Sequence, residues 1–213
     1  MPTPARKNGA AATGGQEILP RIQSWSYRHR GFIAAATLGA AMLVASLSPL
    51  TGSRKPFADV FDSVGWLSFT VGVGMRFWSI LYLGGRKHLV LVAHGPCSVC
   101  RNPLYWGSLF VAGSAALLAH SLVIAGGVSL LAIVYAAGIV PAEERELRAA
   151  LGKEYRAYCE RVPRFLPQLH LYYAPSRIEI CLRSLCVEIQ AALLYACIPI
   201  LGTLIAHMRV CLS

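Results

Sequence analysis

A long apolar run in the middle of the chain most constrains how it can fold. The 41 residues from 102 to 142 contain no Asp, Glu, Lys or Arg. An α-helix rises about 1.5 Å per residue, so roughly 20 apolar residues cross the ~30 Å hydrocarbon layer of a bilayer. The run is therefore long enough for two crossings, and the residues at 119–121 mark a tight turn between them. It predicts a membrane helical hairpin.

Three further apolar runs extend the prediction to five spans. The first, Gly31 to Ser53, has no charged residue, and the second, about Ser63 to Leu83, is interrupted only by Arg76. The last run covers Ile189 to Met208 and is preceded by Glu188. Hydrophobic residues make up 55% of the 213-residue chain and charged residues 14%, which is more apolar content than one soluble core requires. We predict an all-α fold, a polytopic membrane helix bundle with about five transmembrane spans.

The distribution of positive charge predicts which face is cytoplasmic. In the five-span arrangement 16 of the 20 Lys and Arg residues fall on one face and three on the other. Cytoplasmic loops of membrane proteins carry the excess of Lys and Arg. The net charge of +10 flanks apolar runs, so we assign it to anionic lipid headgroups and not to nucleic acid. We expect a multi-pass integral membrane protein whose active face, with a cofactor pocket, is cytoplasmic.

Composition divides the chain into three parts. Residues 1–30 form a basic N-terminal tail with no apolar period, which predicts disorder. Residues 31–167 form the membrane domain, and residues 168–213 form a C-terminal extension that contains the fifth span.

The stretch HGPCSVCRNPLYWG at 94–107 contains a Cys-x-x-Cys pair. A zinc site would need two more ligands at suitable spacing, and the nearest pair, Cys181 and Cys186, has a wider separation. A dithiol redox site would be expected in a βαβ unit, for which there is no pattern. We therefore interpret Cys97 and Cys100 as small packing residues and assign no metal ligand.

The residues around these cysteines form a more specific pattern. Gly95 and Pro96 suit a sharp loop in which the backbone can approach a ligand, and Pro103 suits the first turn of the third span with Asn102 near its N-cap. An ordinary membrane-entry turn is the alternative interpretation of both dipeptides.

Three sequence blocks resemble a family of integral-membrane methyltransferases related to isoprenylcysteine carboxyl methyltransferase and the phospholipid methyltransferases. The blocks are GVGMRFW at 72–78, the frame His-Gly-Pro followed by Arg-Asn-Pro-x-Tyr-x-Gly at 94–107, and EERELRAALGKEYRAYCERVPRFLP at 143–167. The resemblance covers about residues 65–167. Cys97 and Asn102 depart from the residues most often found in the family at these positions, so the substrate is less constrained than the reaction.

The resemblance implies S-adenosylmethionine-dependent methyl transfer, with S-adenosylmethionine as cofactor. The methyl acceptor would be a lipophilic or small membrane-permeable carboxylate, amine or thiol. Such a displacement depends on positioning and requires no metal. By this resemblance the catalytic residues would be Arg101, Tyr105 and Glu144. The cofactor-binding residues would be His94, Gly95, Pro96, Arg101, Asn102, Pro103, Tyr105, Glu143 and Glu144, and the substrate-binding residues Arg76, Trp78 and Arg161.

Several of these residues also have a structural interpretation. Arg76 could extend toward lipid headgroups from the end of its span. Glu143 and Glu144 follow Pro141 and could be first-turn acids favoured by a helix dipole. Arg161 and Arg164 could face lipid phosphates. The apolar stripe of the following helix predicts packing; its members are Leu147, Leu151, Tyr155, Tyr158 and Val162.

Two other functions compete with methyl transfer. The stretch GKEYRAYCERVPRF also resembles the NAD(P)H-dependent sterol-type membrane reductases. A non-enzymatic transporter or scaffold is the third alternative, although the spans show no internal repeat of the kind found in secondary transporters.

Overall fold

All regular structure in the part of the chain that can be described is helical. The computed structural model describes residues 57–85 and 90–211, together with Gly39. The helices are α1 (Ala58–Leu83), α2 (Pro96–Val99), α3 (Pro103–Leu118), α4 (Leu122–Val134), α5 (Val140–Arg161) and α6 (Leu182–Cys211). A π-helical turn (Tyr135–Ile139) lies between α4 and α5, and a 3-10 turn (Leu169–Leu171) follows α5. The predicted all-α fold is confirmed. The predicted tail and, apart from Gly39, the predicted first span lie outside the described residues.

Three of the described helices are long and apolar enough to cross a bilayer. They are Ala58–Leu83, the helical run Leu122–Arg161, and Leu182–Met208; the apolar helix Pro103–Leu118 is shorter. Their outward faces carry large exposed apolar side chains, such as Leu67, Leu130 and Leu194. These side chains suit a lipid environment, and the chain is a membrane protein.

The predicted hairpin is present. Helix α3 ends at Leu118 and α4 begins at Leu122, so the turn falls at the predicted residues. Ser121 caps α4 by accepting the Ile124 N–H at 3.4 Å. The His120 ring lies 2.9 Å from an Asp62 oxygen, which fastens the turn to the beginning of α1.

The helix that follows the hairpin turn does not break at Pro141, contrary to prediction. Residues Leu122–Arg161 form one helical run of 40 residues, which is kinked at Gly152, where φ is +56°. The part before the kink, residues 122–151, is about 45 Å long and already exceeds the hydrocarbon thickness. The π-helical turn, in which the Val140 N–H bonds to the Tyr135 carbonyl, precedes the proline, which has no N–H to donate. Glu143 and Glu144 therefore lie inside a helical run that begins well before them, and their interpretation as first-turn acids favoured by a helix dipole is wrong.

Helices α1 and α3 cross closely through two glycines. A Cβ added to Gly72 would lie 2.8 Å from the Gly107 carbonyl oxygen, and one added to Gly107 would lie 2.9 Å from the Gly72 oxygen. Gly65, near the other end of α1, faces Leu118 at the end of α3. The two helices are therefore antiparallel, and small residues permit their backbones to approach.

Helix α6 begins earlier than predicted and includes a charged residue. It starts at Leu182, and Glu188 lies within its second turn. Arg76 of α1 donates to both Glu188 oxygens, at 2.7 and 3.1 Å, and also to the Ser108 hydroxyl of α3. An ion pair with these hydrogen bonds lowers the cost of charge among apolar helices, so the helix can continue through Glu188. Arg76 is therefore bound to a helix partner and does not extend toward lipid headgroups, and its role in binding a substrate stays a prediction.

Candidate functional site

A small cavity lies at the end of the bundle where α1 ends and α3 begins. Its volume is about 80 Å³. The wall comes from the end of α1, the 90–92 segment, the loop and start of α3, and α5; the lining residues are Leu83, Val90, Leu91, Val92, Cys97, Arg101, Asn102, Pro103, Leu104, Tyr105, Glu143, Glu144, Leu147, Leu151, Tyr155 and Tyr158. The predicted pocket between spans three and four and the next helix needs correction, since α4 supplies no lining residue.

Glu144 is the centre of a buried ionic cluster beside this cavity. Its side chain is only 4% exposed, and one oxygen lies 3.3 Å from Arg101 Nη1. The other oxygen accepts a 2.7 Å hydrogen bond from Arg164 Nη2, and Arg164 Nε lies 3.2 Å from both oxygens. Hydrogen bonding to Glu144 raises the pKa of Arg164 above its ordinary value. The Glu144 carboxyl group therefore lies between two guanidinium groups.

Arg101 has contacts beyond this carboxylate. Its Nη1 lies 2.9 Å from Cys159 Sγ on α5, while its Nε–H is buried and has no hydrogen-bond partner among the described residues. Arg101 thus connects the start of α3 to two positions of α5.

The loop before α3 is fastened to the segment that follows α5. The Arg101 N–H donates to the Pro163 carbonyl at 2.9 Å, and the Asn102 side-chain amide donates to the Arg164 carbonyl at 3.1 Å. Trp106 Nε1 donates to the Phe165 carbonyl at 2.8 Å. These bonds hold Arg164 over Glu144. Asn102 is the N-cap residue of α3, as predicted, but its side chain makes this long-range bond and does not cap the helix.

Gly95 is required by the conformation of the loop. Its φ is +61°, and a Cβ at this position would lie 2.5 Å from the Tyr82 ring. A residue with a side chain at this position would have a strained backbone, because φ is positive, and its Cβ would clash with the tyrosine ring. The expectation of a sharp turn at Gly95 is confirmed.

The two cysteines of the loop are buried. Cys97 and Cys100 are each 2% exposed, and burial raises the pKa of the Cys100 thiol. Within residues 57–85 and 90–211, no group of three or more His, Cys, Asp or Glu side chains is placed to hold a metal ion. Tyr158 of α5 donates a 2.7 Å hydrogen bond to the Cys97 carbonyl, so this backbone is also bound to the helix.

The structure brings six of the predicted site residues to one cavity. These are Arg101, Asn102, Pro103, Tyr105, Glu143 and Glu144. The hairpin accomplishes this, because it returns α5 to the end of the bundle where α3 began. Tyr105 also contacts the π-helical turn, with its ring 5.4 Å from that of Tyr135.

The other predicted site residues lie elsewhere. The His94 ring packs 5.7 Å from the Tyr82 ring, and neither His94 nor Gly95 nor Pro96 lines the cavity. Trp78 packs against Tyr172 at 5.9 Å. Arg161 is exposed, and its Nε donates to the Ala157 carbonyl of its own helix at 3.4 Å.

Sequence reasoning missed two partners that determine the local electrostatics. Glu188 holds Arg76, and Cys159 contacts Arg101. An Arg in one apolar run and a Glu beside another are each costly in a membrane, so their pairing could have been anticipated. No pattern in the sequence pointed to Cys159.

The chain resembles two curated metal-resistance proteins. It is 35% identical over 115 residues to the cobalt-zinc-cadmium resistance protein CzcN of Cupriavidus metallidurans, which covers 54% of this chain and 52% of the relative. It is 34% identical over 115 residues to the nickel-cobalt-cadmium resistance protein NccN of Alcaligenes xylosoxydans xylosoxydans, covering 54% and 53%. The chain spans about half the length of the curated relatives it matches. No family model matches it, and no solved structure does.

These relatives correct the functional prediction. Their names refer to metal resistance and do not point to a methyltransferase, so the assignments of family, S-adenosylmethionine cofactor, methyl acceptor and enzyme class are wrong. The sterol-type reductase alternative is unsupported as well. The residues of the motif blocks make structural contacts in the fold. Asn102 donates to the Arg164 carbonyl, His94 packs on Tyr82, and Glu144 pairs with two arginines.

Proposed function

We propose that this chain is a membrane component of resistance to divalent transition-metal cations of the group cobalt, zinc, cadmium and nickel. The observation that carries the proposal is the identity of 35% and 34% over 115 residues to CzcN and NccN, whose names specify these metals. The long apolar helices support a role in the membrane itself.

We propose that the Arg101, Glu144 and Arg164 cluster is needed for this function, but as an ion-paired junction and not as a ligand set for the cation. Both Glu144 oxygens already face guanidinium groups. A divalent cation entering there would lie next to two positive charges and would have to displace their hydrogen bonds. The cluster instead joins three parts of the chain, which are the start of α3, the middle of the long helix and the segment after it.

We propose further that this cluster lies at the cytoplasmic face. It belongs to the end of the bundle that carries Arg101 and the eight Lys and Arg residues from 145 to 183, whereas the hairpin turn at 119–121 has none. The positive-inside rule assigns the basic end to the cytoplasm.

Resistance is tested by growth of a metal-sensitive bacterial host that expresses the chain. We expect the parent to raise the inhibitory concentration of at least one of Co²⁺, Zn²⁺, Cd²⁺ or Ni²⁺ above that of the empty vector. Glu144→Gln keeps the size of the side chain and removes its charge, which leaves two guanidinium groups without a counter-ion. Breaking a buried pair costs about 3 kcal/mol, so the variant should lose both resistance and thermal stability in detergent.

Glu160→Gln is the matched control, since Glu160 lies on the same helix and is exposed. A surface charge of this kind contributes about 1 kcal/mol or less, so the control should behave as the parent does. Membrane levels of each variant are compared by immunoblot. If the parent reaches the membrane and protects against none of the four cations, the proposal is wrong. If Glu144→Gln protects fully, the cluster has no part in resistance.

A further inference from the structure

The segment between α5 and α6 presents an unusual concentration of large apolar and aromatic side chains. Leu166 is 76% exposed, Leu169 77%, Tyr172 50% and Tyr173 64%. These residues lie outside the helices long enough to cross the membrane, so their exposure does not follow from a transmembrane position. Four such neighbours in water would leave a contiguous apolar patch, which commonly marks an interaction surface.

The backbone of this segment is held firmly, so the exposure does not come from a loose loop. The Gln168 N–H donates to the Val99 carbonyl at 3.1 Å, and the Gly95 N–H donates to the Tyr173 carbonyl at 2.7 Å. The Tyr173 N–H donates to the Ser98 hydroxyl at 3.0 Å. The turn is thus fixed at both ends to the loop that precedes α3.

The segment lies at the level where two membrane helices begin and end. A Cβ on Gly84, just after α1, would lie 3.0 Å from Ser184 at the start of α6. Trp78, in the last turns of α1, packs against Tyr172 at 5.9 Å. Trp and Tyr are enriched at membrane–water interfaces, where their rings reside among the headgroups.

The charges around the turn complement an anionic surface. Four arginines and two glutamates lie between residues 160 and 183. Arg161, Arg177 and Arg183 are exposed, whereas Arg164 is bound to Glu144. Apolar side chains flanked by exposed guanidinium groups are the composition of segments that bind at the surface of anionic bilayers.

We propose that residues 166–173 form an interfacial anchor that binds the anionic lipid headgroup layer. Leu166, Leu169 and the two tyrosines enter the boundary between headgroups and acyl chains, and Arg161 and Arg177 bind lipid phosphates. Because Arg164 immediately precedes the anchor, the bilayer also holds this arginine against Glu144. The anchor thus couples lipid contact to the ionic cluster, and it stands independently of the role in metal resistance.

Spin-label accessibility in nanodiscs tests the anchor directly. The parent for this experiment carries Ala in place of Cys159, Cys181, Cys186, Cys197 and Cys211 and retains the two buried loop cysteines, with its melting temperature compared with that of the native chain. A nitroxide is attached at Leu169→Cys, where the side chain is exposed and its replacement removes little packing. Ala149→Cys, on an exposed position of α5, is the matched control.

In nanodiscs with anionic phosphatidylglycerol, we expect the label at 169 to be relaxed by O₂ and protected from a water-soluble Ni²⁺ complex, with the reverse at 149. A label at 169 that is as accessible to Ni²⁺ as the control would place the turn in water. Protection from both reagents would show that protein covers it, as in a second copy of the chain. Either result overturns the proposal.

The electrostatic attraction between the arginines and the lipid phosphates is tested by removing charge from the protein or from the bilayer. Arg161→Gln combined with Arg177→Gln, or nanodiscs of zwitterionic phosphatidylcholine alone, should raise Ni²⁺ access at 169 and leave it unchanged at 149. If neither change alters Ni²⁺ access at position 169, the segment does not bind anionic headgroups.

Discussion

At the residue scale, two cysteines illustrate how environment determines the chemistry of one side-chain type. Cys100 is buried, and desolvation raises the pKa of its thiol. Cys181, just before α6, is half-buried, and hydrogen bonding from Ser184 lowers the pKa of its thiol. The thiolate is the reactive form of cysteine. At neutral pH a larger fraction of Cys181 than of Cys100 is therefore present as thiolate.

We therefore expect Cys181 to react with N-ethylmaleimide much faster than Cys100 at neutral pH. Its rate should begin to rise at a lower pH than that of an unstructured cysteine, whereas Cys100 should stay protonated and unreactive until higher pH. Time-resolved alkylation of the native protein, read by tandem mass spectrometry, measures both sites in one sample. Rapid labelling of Cys100 in the folded protein would contradict its burial, and denatured protein provides the control.

At the element scale, the crossing of α1 and α3 depends on the absence of side chains at one point. A Cβ on Gly72 would lie 2.8 Å from both the Gly107 oxygen and the Val111 nitrogen. Both obstructing atoms belong to the backbone, so no rotamer change relieves the contact. The same crossing allows Arg76, whose Cγ lies next to Gly107, to reach Glu188 on α6.

Gly72→Ala should therefore destabilise the bundle, even though alanine favours helix. Forcing the helices apart costs about 1–3 kcal/mol, which exceeds the gain of up to about 1 kcal/mol in helix propensity. Gly74→Ala is the matched control on the same helix, because a Cβ there meets nothing within 4 Å. Unfolding of each detergent-solubilised variant with SDS gives its free energy of unfolding. Equal stability of the two variants would mean that the close crossing is not formed.

At the scale of the whole molecule, the hairpin and the long helix place two groups of residues at opposite ends. The turn at 119–121 lies at one end, and the ionic cluster and basic segments lie at the other. Leu122, at the turn, is 85% exposed, and Glu160, near the end of α5, is exposed as well. The two positions report the orientation of the chain in the membrane.

We expect Leu122→Cys to react with a membrane-impermeant maleimide in intact cells. Glu160→Cys should react only after the cells are permeabilised, because the proposed orientation places the basic end in the cytoplasm. The signal of each variant is compared with that of the parent, which carries the native cysteines. The reverse pattern would show that the count of Lys and Arg gave the wrong orientation.

Much of the fold followed from periodicity and charge. The positions of the hairpin turn, the proline at the start of α3 and the buried tyrosines of α5 were predictable, because each depends on residues close in sequence. The boundaries at Pro141 and Leu182 were not. A π-helical turn accommodates the proline, and a partner on another helix neutralises Glu188, so both outcomes depend on context that no local pattern contains.

The sequence by itself determined that this is a helical membrane protein, since its apolar runs can satisfy their backbone hydrogen bonds in lipid only as helices. It also predicted that Arg101, Asn102, Tyr105 and Glu144 meet at one end of the hairpin, because the two spans return the chain to the level at which it started. Only the tertiary structure decided what those residues do there. Arg101 and Arg164 enclose Glu144, and Arg76 binds Glu188, through contacts between residues 20 to 112 positions apart. Pairing at such distances depends on helix packing and on the cost of leaving a buried charge alone.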